Sequence, residues 1–179
     1  MNFKSKSSIG EALILTLFDI ANYLTKNSEI IALEGELTVQ QWLVLMQIAD
    51  SSHFPQPRPR PAGAGMHASE IADARGVSRP AVSAVVTTLL RKGLVRQREN
   101  PDDRRHKTLK ITVKGRRALE QIEPLRQKVN AAFFDDIPAD EMKQVHRFLQ
   151  DWLTRLWHQD DTATATAATV NEKQAEKTK

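Results

Sequence analysis

Residues 68–113, ASEIADARGVSRPAVSAVVTTLLRKGLVRQRENPDDRRHKTLKITV, decide the fold of this chain. Their first half predicts two helices joined by a tight turn at Gly76, because glycine readily adopts the left-handed conformation that ends a helix. Ser78 can cap the second helix by accepting a hydrogen bond from one of its unpaired amides. We therefore predict a short helix over 68–75 and a longer one over 79–92.

The second half of this stretch predicts a β-hairpin. Residues 94–98 alternate apolar and basic side chains, as a half-exposed strand does, and residues 107–113 alternate again, with Val113 closing the apolar face. The Asn-Pro-Asp-Asp cluster at 100–103 is typical of the turn between two such strands. The predicted order is therefore helix, glycine turn, helix and hairpin.

This order is that of a helix-turn-helix followed by a wing, in which the second helix lies in the major groove of DNA. No acid lies between Gly76 and Val95, where it would repel phosphate. Arg79, Ser83 and Thr87 recur every four residues and form a small polar face that suits close approach to base edges. The alternative is a helical hairpin in a protein–protein fold. The candidate contact residues of this helix are Ser78, Arg79, Pro80, Ser83, Ala84 and Thr87.

The predicted hairpin tip is strongly basic. A narrow minor groove of DNA concentrates negative potential and attracts inserted arginine side chains. Asp103 can pair with a neighbouring guanidinium and fix its direction through charge-assisted hydrogen bonds, and its alternative role is that of an ordinary turn residue. The candidate wing residues are Arg98, Asp103, Arg104, Arg105, His106 and Lys107.

The positive charge of the chain is concentrated in the same region. Residues 75–117 hold thirteen Lys and Arg against three acids, a net charge of +10, whereas the whole chain carries +4 and the remainder therefore −6. A basic middle on an acidic scaffold is the pattern expected of a nucleic-acid-binding module. A solvated basic surface without a partner has the same asymmetry, so charge alone does not decide between the two.

Helices are also predicted ahead of this region. Apolar residues recur at spacings of three and four over 9–25, whereas 27–36 is mixed and is predicted to be a connection. Thr38 can cap a further helix, and Gln41 completes the spacing of a capping box. That helix is predicted to end near Asp50.

Two more helices are predicted after the hairpin. Thr112 or Lys114 opens the first, and Pro138 lies in the first turn of the last, whose apolar residues again follow a helical spacing. Residues 160–179 are rich in Ala, Thr, Lys and Glu without large apolar side chains, and they are predicted to be disordered.

A proline-rich segment precedes the helix-turn-helix. Four of the eight prolines occupy alternate positions of residues 55–61, and a Gly-Ala-Gly run at 63–65 follows. Alternating prolines favour an extended, polyproline-like loop, and the glycines predict a flexible end. The segment is either a surface insertion, which costs the folded chain little free energy, or an extended arm that contacts a partner. As an arm, it would contact a phosphate backbone through Arg58 and Arg60, or a protein partner through its prolines.

Several classes of protein are disfavoured. The chain has no cysteine, which excludes disulfide scaffolding and cysteine-ligated zinc. It has no phosphate loop, nucleophile elbow or metal-ligand spacing, so we expect no enzymatic activity, catalytic residue, metal or cofactor. The amphipathic start carries Glu11 and Asp19 and does not predict a membrane span, so we expect a cytoplasmic location and no membrane partner.

These residues resemble the multiple-antibiotic-resistance regulator (MarR) family. The most specific run is GLVRQR at 93–98, PDDRR at 101–105 and LKITVKG at 109–115. With the flanking helices, the resemblance covers roughly residues 9–158.

The resemblance implies a homodimer whose first and last two helices intertwine, with two winged helices on successive major grooves of a pseudo-palindrome. It also implies that Asp103 orients the wing arginines and that Arg105 enters the minor groove. Many members bind small aromatic acids or phenols, so a small-molecule effector is a further expected partner. The expected dimerisation residues are Leu13, Leu17, Val145, Leu149, Trp152 and Leu156.

The expected fold is mainly α with a small β-hairpin wing, a winged helix-turn-helix flanked by N- and C-terminal dimerisation helices. The expected function is that of a repressor that binds duplex DNA sequence-specifically and is released by a small aromatic or phenolic ligand. The alternative is a winged-helix protein-interaction module that has lost specific DNA binding. The expected divisions are 1–36, an N-terminal dimerisation helix and connection; 37–115, the winged helix-turn-helix with an insertion at 51–65; 116–159, the C-terminal dimerisation helices; and 160–179, a disordered tail.

The chain departs from the family pattern in three places. Ala84 stands where members usually carry a DNA-contacting arginine, and Thr87 with Thr88 replaces a common Asp-Arg pair. The proline-rich segment replaces a short loop. The first two departures leave the base preference open and favour the alternative function, whereas the basic wing opposes it.

Overall fold

The computed structural model describes residues 6–49, 65–99 and 107–156. The chain divides into two compact units, the first extending to Ala131 and the second beginning at Ala132. The second unit holds the last three residues of the helix that ends at Phe134 and a final helix, α6, at residues 139–156. The expected mainly helical fold with a small antiparallel hairpin is confirmed. The elements before α6 are α1 (Lys6–Leu33), α2 (Val39–Ile48), α3 (Ala68–Arg75), α4 (Arg79–Arg91), β1 (Val95–Glu99), β2 (Lys107–Ile111) and α5 (Val113–Phe134).

The first helix is longer than its sequence pattern indicates. The prediction of a connection over 27–36 was wrong, because α1 continues to Leu33. Its last turns are held by packing, since Ile31 and Ala32 are buried in the core. The true connection is a turn at 34–36, in which a Cβ on Gly35 would lie 2.6 Å from Ile122 Cδ1. This close approach explains why glycine stands there.

The second helix begins as predicted. Thr38 Oγ1 accepts a hydrogen bond from the Gln41 amide at 3.3 Å, and Gln41 Oε1 accepts one from the Thr38 amide at 3.4 Å. This reciprocal pair is a capping box and satisfies two amides that the helix itself leaves unpaired. Trp42 and Leu45 are buried on its inner face.

The helix-turn-helix is also confirmed. Gly76 ends α3 with a φ of 60°, and the Val77 amide donates to the Ala72 carbonyl at 3.1 Å. Ser78 caps α4, with its Oγ accepting from the Ala81 amide at 3.4 Å. Gly93, with a φ of 70°, follows the end of α4 and turns the chain into β1. The buried residues shared by α2, α3, α4 and the hairpin include Val44, Leu45, Ile71, Val82, Val86, Leu89, Leu94 and Leu109.

The sheet has a contact that the sequence did not reveal. β1 and β2 pair antiparallel, and Met66 adds an isolated bridge to Leu109, with N–O distances of 3.0 and 2.8 Å. A Cβ on Gly65 would lie 2.7 Å from Thr108 Cβ. Gly65 therefore allows the chain to lie against β2. Residues 50–64, which hold the prolines, lie outside the described residues.

The second strand is shorter than predicted. Val113 does not close its apolar face, because this residue begins α5 and its side chain is 70% exposed. Thr112 and Lys114 were the two residues predicted to begin α5. Thr112 is the one that caps it, since its Oγ1 accepts a hydrogen bond from the Gly115 amide at 3.0 Å. The Thr112 hydroxyl lies 2.8 Å from the Gly93 carbonyl oxygen and 3.1 Å from that of Leu94, so it also ties α5 to the start of β1.

The second unit contains α6, most of whose residues are exposed. Pro138 lies just ahead of α6, and its carbonyl accepts from the Met142 amide at 3.1 Å. The rings of Phe148 and Trp152 are 6.1 Å apart between centroids. No helix within the described ranges is long and apolar enough to cross a membrane.

Candidate nucleic-acid interface

The outer face of α4 is exposed and carries the predicted contact residues. Val82, Val86 and Leu89 are buried in the core and fix which face of the helix points outward. The candidate residues on the opposite side, all exposed, are Ser78, Arg79, Pro80, Ser83, Ala84 and Thr87.

The hydroxyl groups on this face are more restricted than the sequence suggests. Thr87 Oγ1 donates to the Ser83 carbonyl at 2.8 Å, and Thr88 Oγ1 donates to the Ala84 carbonyl at 3.1 Å. The proton of each threonine is thus used within the helix, as often occurs for hydroxyl residues at helical positions. In this geometry the Thr87 oxygen can accept a hydrogen bond from a base but has no proton left to donate.

A lysine anchors the end of α4 to the rest of the unit. Lys92 Nζ donates to the Glu36 carbonyl at 2.5 Å and to Gln41 Oε1 at 3.2 Å, and Lys114 Nζ donates to the Lys92 carbonyl at 2.9 Å. These bonds join α4 to the turn before α2 and to the start of α5. Lys92 therefore positions the helix, a role that no local sequence signal indicated.

A second contact holds α3 against α2. Arg75 Nη2 donates to Gln40 Oε1 at 3.4 Å. Burial lowers the pKa of the Arg75 guanidinium from its ordinary value, because desolvation disfavours the charged form. Arg75 belongs to the basic stretch of the sequence, but it lies partly inside the fold.

The register of the hairpin sorts its cations onto two faces. Arg96 pairs with Lys110, and Arg98 pairs with Thr108, so these side chains share one face. Lys107 pairs with Glu99 and belongs to the other face, which also carries the buried Leu109. The structure therefore does not bring Arg98 and Lys107 onto one surface, although both are exposed. The wing candidates Asp103, Arg104, Arg105 and His106 lie outside the described residues.

The expected dimerisation residues lie on partly or fully exposed apolar surfaces of the two units. In α1, Leu13 is exposed and Leu17 is half-buried. In α6, Val145, Leu149 and Leu156 are exposed. Trp152 of α6 is half-buried. Further large apolar side chains exposed on α1 include Ile14, Phe18, Tyr23, Leu24 and Ile30.

Sequence comparisons match the winged-helix region to a family model and find relatives in two genera. The chain matches the family model described as MarR family over residues 36–106. A protein of Mycobacterium tuberculosis (strain ATCC 25618 / H37Rv) is 27% identical over 144 residues, which is 80% of this chain and 92% of that protein. A relative from Bacillus cereus (strain ZK / E33L), named an uncharacterised HTH-type transcriptional regulator, is 25% identical over 139 residues, 78% of this chain and 84% of the relative.

Solved structures share the fold. The transcriptional regulator SlyA matches with a TM-score of 0.69 at 19% identity, covering 84% of this chain and 98% of that chain. A MarR-family regulator from Listeria monocytogenes complexed with 26mer DNA has a TM-score of 0.66 at 18% identity, covering 83% and 93%. CouR from Rhodococcus jostii RHA1 bound to p-coumaroyl-CoA has a TM-score of 0.66 at 20% identity, covering 79% and 91%.

Proposed function

We propose that this chain is a member of the MarR family, whose model matches residues 36–106, and that it is a sequence-specific DNA-binding regulator of transcription that acts as a repressor. In this proposal α4 enters the major groove and the hairpin contacts the flanking backbone and minor groove. Two copies bind the two halves of a pseudo-palindromic operator.

The observation that carries the proposal is the outer surface of α4. It is exposed over three turns, small enough to approach base edges closely and free of acids, while its inner side is fixed in the core. The neighbouring hairpin adds Arg96, Arg98 and Lys110 on one face. An acid-free helix beside a positively charged hairpin suits binding to duplex DNA, because much of the affinity of proteins for DNA comes from contacts with its phosphates. The Listeria monocytogenes regulator of the same fold is complexed with 26mer DNA, which supports DNA as the partner.

We expect the DNA affinity to fall steeply with salt. Each phosphate contact adds about −0.9 to the slope of log K against log salt concentration, so six or more contacts by a dimer predict a slope of about −5 or steeper. The measurement is fluorescence anisotropy with a labelled 30-base-pair duplex from the DNA that precedes the gene, between about 50 and 200 mM salt. An unrelated duplex of equal length is the control and should bind more weakly.

A flat slope, or equal affinity for both duplexes, would contradict sequence-specific DNA binding. That outcome would favour the second candidate function, a winged-helix interaction module. The departures of α4 from the family pattern at Ala84, Thr87 and Thr88 are the observations that favour this alternative.

Dimerisation is the second component of the proposal. The exposed apolar side chains of α1 and α6 support it, because a monomer rarely leaves so many large apolar residues in water without a partner. Interfaces of permanent dimers bury such surfaces as a protein core does.

Leu149→Lys is therefore expected to weaken the dimer. The wild-type chain should sediment as a dimer at micromolar concentration, and the variant should shift toward monomer because a charge at an apolar interface loses its water. Gln150→Lys introduces the same charge at the next exposed position of α6 and is the matched control. A monomeric wild-type chain, or an unchanged Leu149→Lys variant, would contradict this arrangement.

Release by a ligand is the third component. We propose a small aromatic or phenolic molecule as the effector, bound so that the spacing of the two α4 helices no longer fits the operator. The bound p-coumaroyl-CoA of CouR, an aromatic acyl thioester, supports this class of ligand.

A further inference from the structure

The middle of the α4 surface carries methyl groups rather than long polar side chains. Ala84 and Thr87 are exposed there beside Ser83, and charged side chains stand only at the ends, at Arg79 and Arg91. The two arginines are twelve residues apart, a separation of about 18 Å along the helix axis. Between them no exposed side chain can form the bidentate hydrogen bonds by which Arg, Asn or Gln distinguish bases.

The internal hydrogen bond of Thr87 determines which of its groups a base can meet. Its Oγ1 donates to the Ser83 carbonyl at 2.8 Å, so the hydroxyl proton stays within the helix. The Cγ2 methyl remains as the apolar end of this exposed side chain, and the side chain of Ala84 is a methyl alone. Residues three apart share a helix face with Cβ atoms about 5–6 Å apart, so the two methyl groups form one small apolar patch.

We propose that α4 reads its operator by contacts between this methyl patch, formed by Ala84 and Thr87, and the 5-methyl groups of thymine. Thymine alone among the four DNA bases presents a methyl in the major groove, and alanine and threonine methyl groups are suited to contact it. The operator half-site therefore has A·T pairs opposite Ala84 and Thr87, flanked by guanines or phosphates within reach of the terminal arginines. This inference rests on the proposed DNA-binding function and names what the helix recognises.

The first test removes thymine methyl groups without changing base pairing. Duplexes are selected by the wild-type protein from a random 30-base-pair library, and each thymine of the selected half-site is then replaced by deoxyuridine. Loss of a contacted methyl should weaken binding about fourfold, since burial of one such group contributes that factor. Replacement of thymines outside the half-site is the control and should leave the affinity unchanged.

The second test uses a matched pair of variants at one exposed position. Thr87→Ser keeps the hydroxyl and loses the methyl, whereas Thr87→Val keeps a methyl at Cγ2 and loses the hydroxyl. We expect Thr87→Ser to bind the thymine duplex about fourfold more weakly and to become insensitive to deoxyuridine at the contacted position. Thr87→Val should bind the thymine duplex with an affinity within twofold of wild type and should still bind more weakly when the contacted thymine is replaced by deoxyuridine.

The outcomes separate this inference from the proposed function. Three outcomes would overturn the methyl readout alone. The first is specific binding that is unaffected by removal of any thymine methyl in the half-site, and the second is the selection of half-sites without thymine. The third is a loss of DNA affinity in Thr87→Val equal to that in Thr87→Ser. Failure of the wild-type protein to select any duplex overturns both. The thermal unfolding of both variants checks the fold, and because Ser, Thr and Val have similar helix propensities it should remain close to that of wild type.

Discussion

Gly115→Ala is expected to lower the free energy of unfolding by about 3 kcal/mol or more, because the added methyl has no space. A Cβ at this position would overlap the Leu94 carbonyl oxygen and would lie 2.8 Å from Ile111 Cγ1. The Leu94 carbonyl cannot withdraw without cost, since it also accepts from the Thr112 amide at 3.0 Å. The start of α5 and the base of the hairpin would have to separate.

Equilibrium denaturation with urea measures this effect. Gly10→Ala is the matched control, because nothing lies within 4 Å of a Cβ there and the residue is inside α1. That variant should be equal to wild type or more stable by up to about 1 kcal/mol, through the better helix propensity of alanine. If Gly115→Ala were as stable as Gly10→Ala, the close packing of α5 on the hairpin would be wrong. Since this packing holds the base of β1 and β2, its loss should also weaken DNA binding.

Arg105→Ala is expected to weaken DNA binding by a factor of about 10 to 100, the largest loss of DNA affinity that we predict for a single substitution. Arg105 lies outside the described residues, within the segment that joins the paired strands β1 and β2. By the family resemblance it enters the minor groove, whose negative potential favours an inserted guanidinium.

Anisotropy titration at low salt measures this loss on the selected duplex. Arg147→Ala removes the same charge from the exposed surface of α6 and controls for a general effect of net charge. The Arg147→Ala variant should lose little DNA affinity, because Arg147 is outside the predicted DNA-contacting residues and a charge that makes no phosphate contact is screened by salt. Unchanged binding by Arg105→Ala would remove the wing from the mechanism and leave α4 as the sole source of specificity.

Features that depend on neighbouring residues were predictable from the sequence. The capping box of Thr38 and Gln41, the left-handed Gly76 and the Ser78 cap each involve atoms within a few positions of one another. The outward polar face of α4 at Arg79, Ser83 and Thr87 followed from helical periodicity for the same reason. The predicted roles of Asp103, Arg104, Arg105 and His106, and the six expected dimerisation residues, stay predictions.

The failures at the end of α1, at Met66 and at the strand faces involved contacts between distant parts of the chain. The end of α1 was misjudged because Ile31 and Ala32 are held by burial rather than by a local signal. The bridge of Met66 to Leu109 was missed because a single paired residue has no alternation to detect. The faces of Arg98 and Lys107 became known only from the strand register.

The acid-free surface of α4 and its place after a glycine turn were determined by the sequence alone, since short-range sterics and hydrogen bonds decide them. How that surface is held in place was decided by tertiary structure. Lys92 tied the end of α4 to the turn at Glu36, and Lys114 tied it to the start of α5. Long-range hydrogen bonds act between residues that only the folded chain brings together, so no local pattern could have specified them.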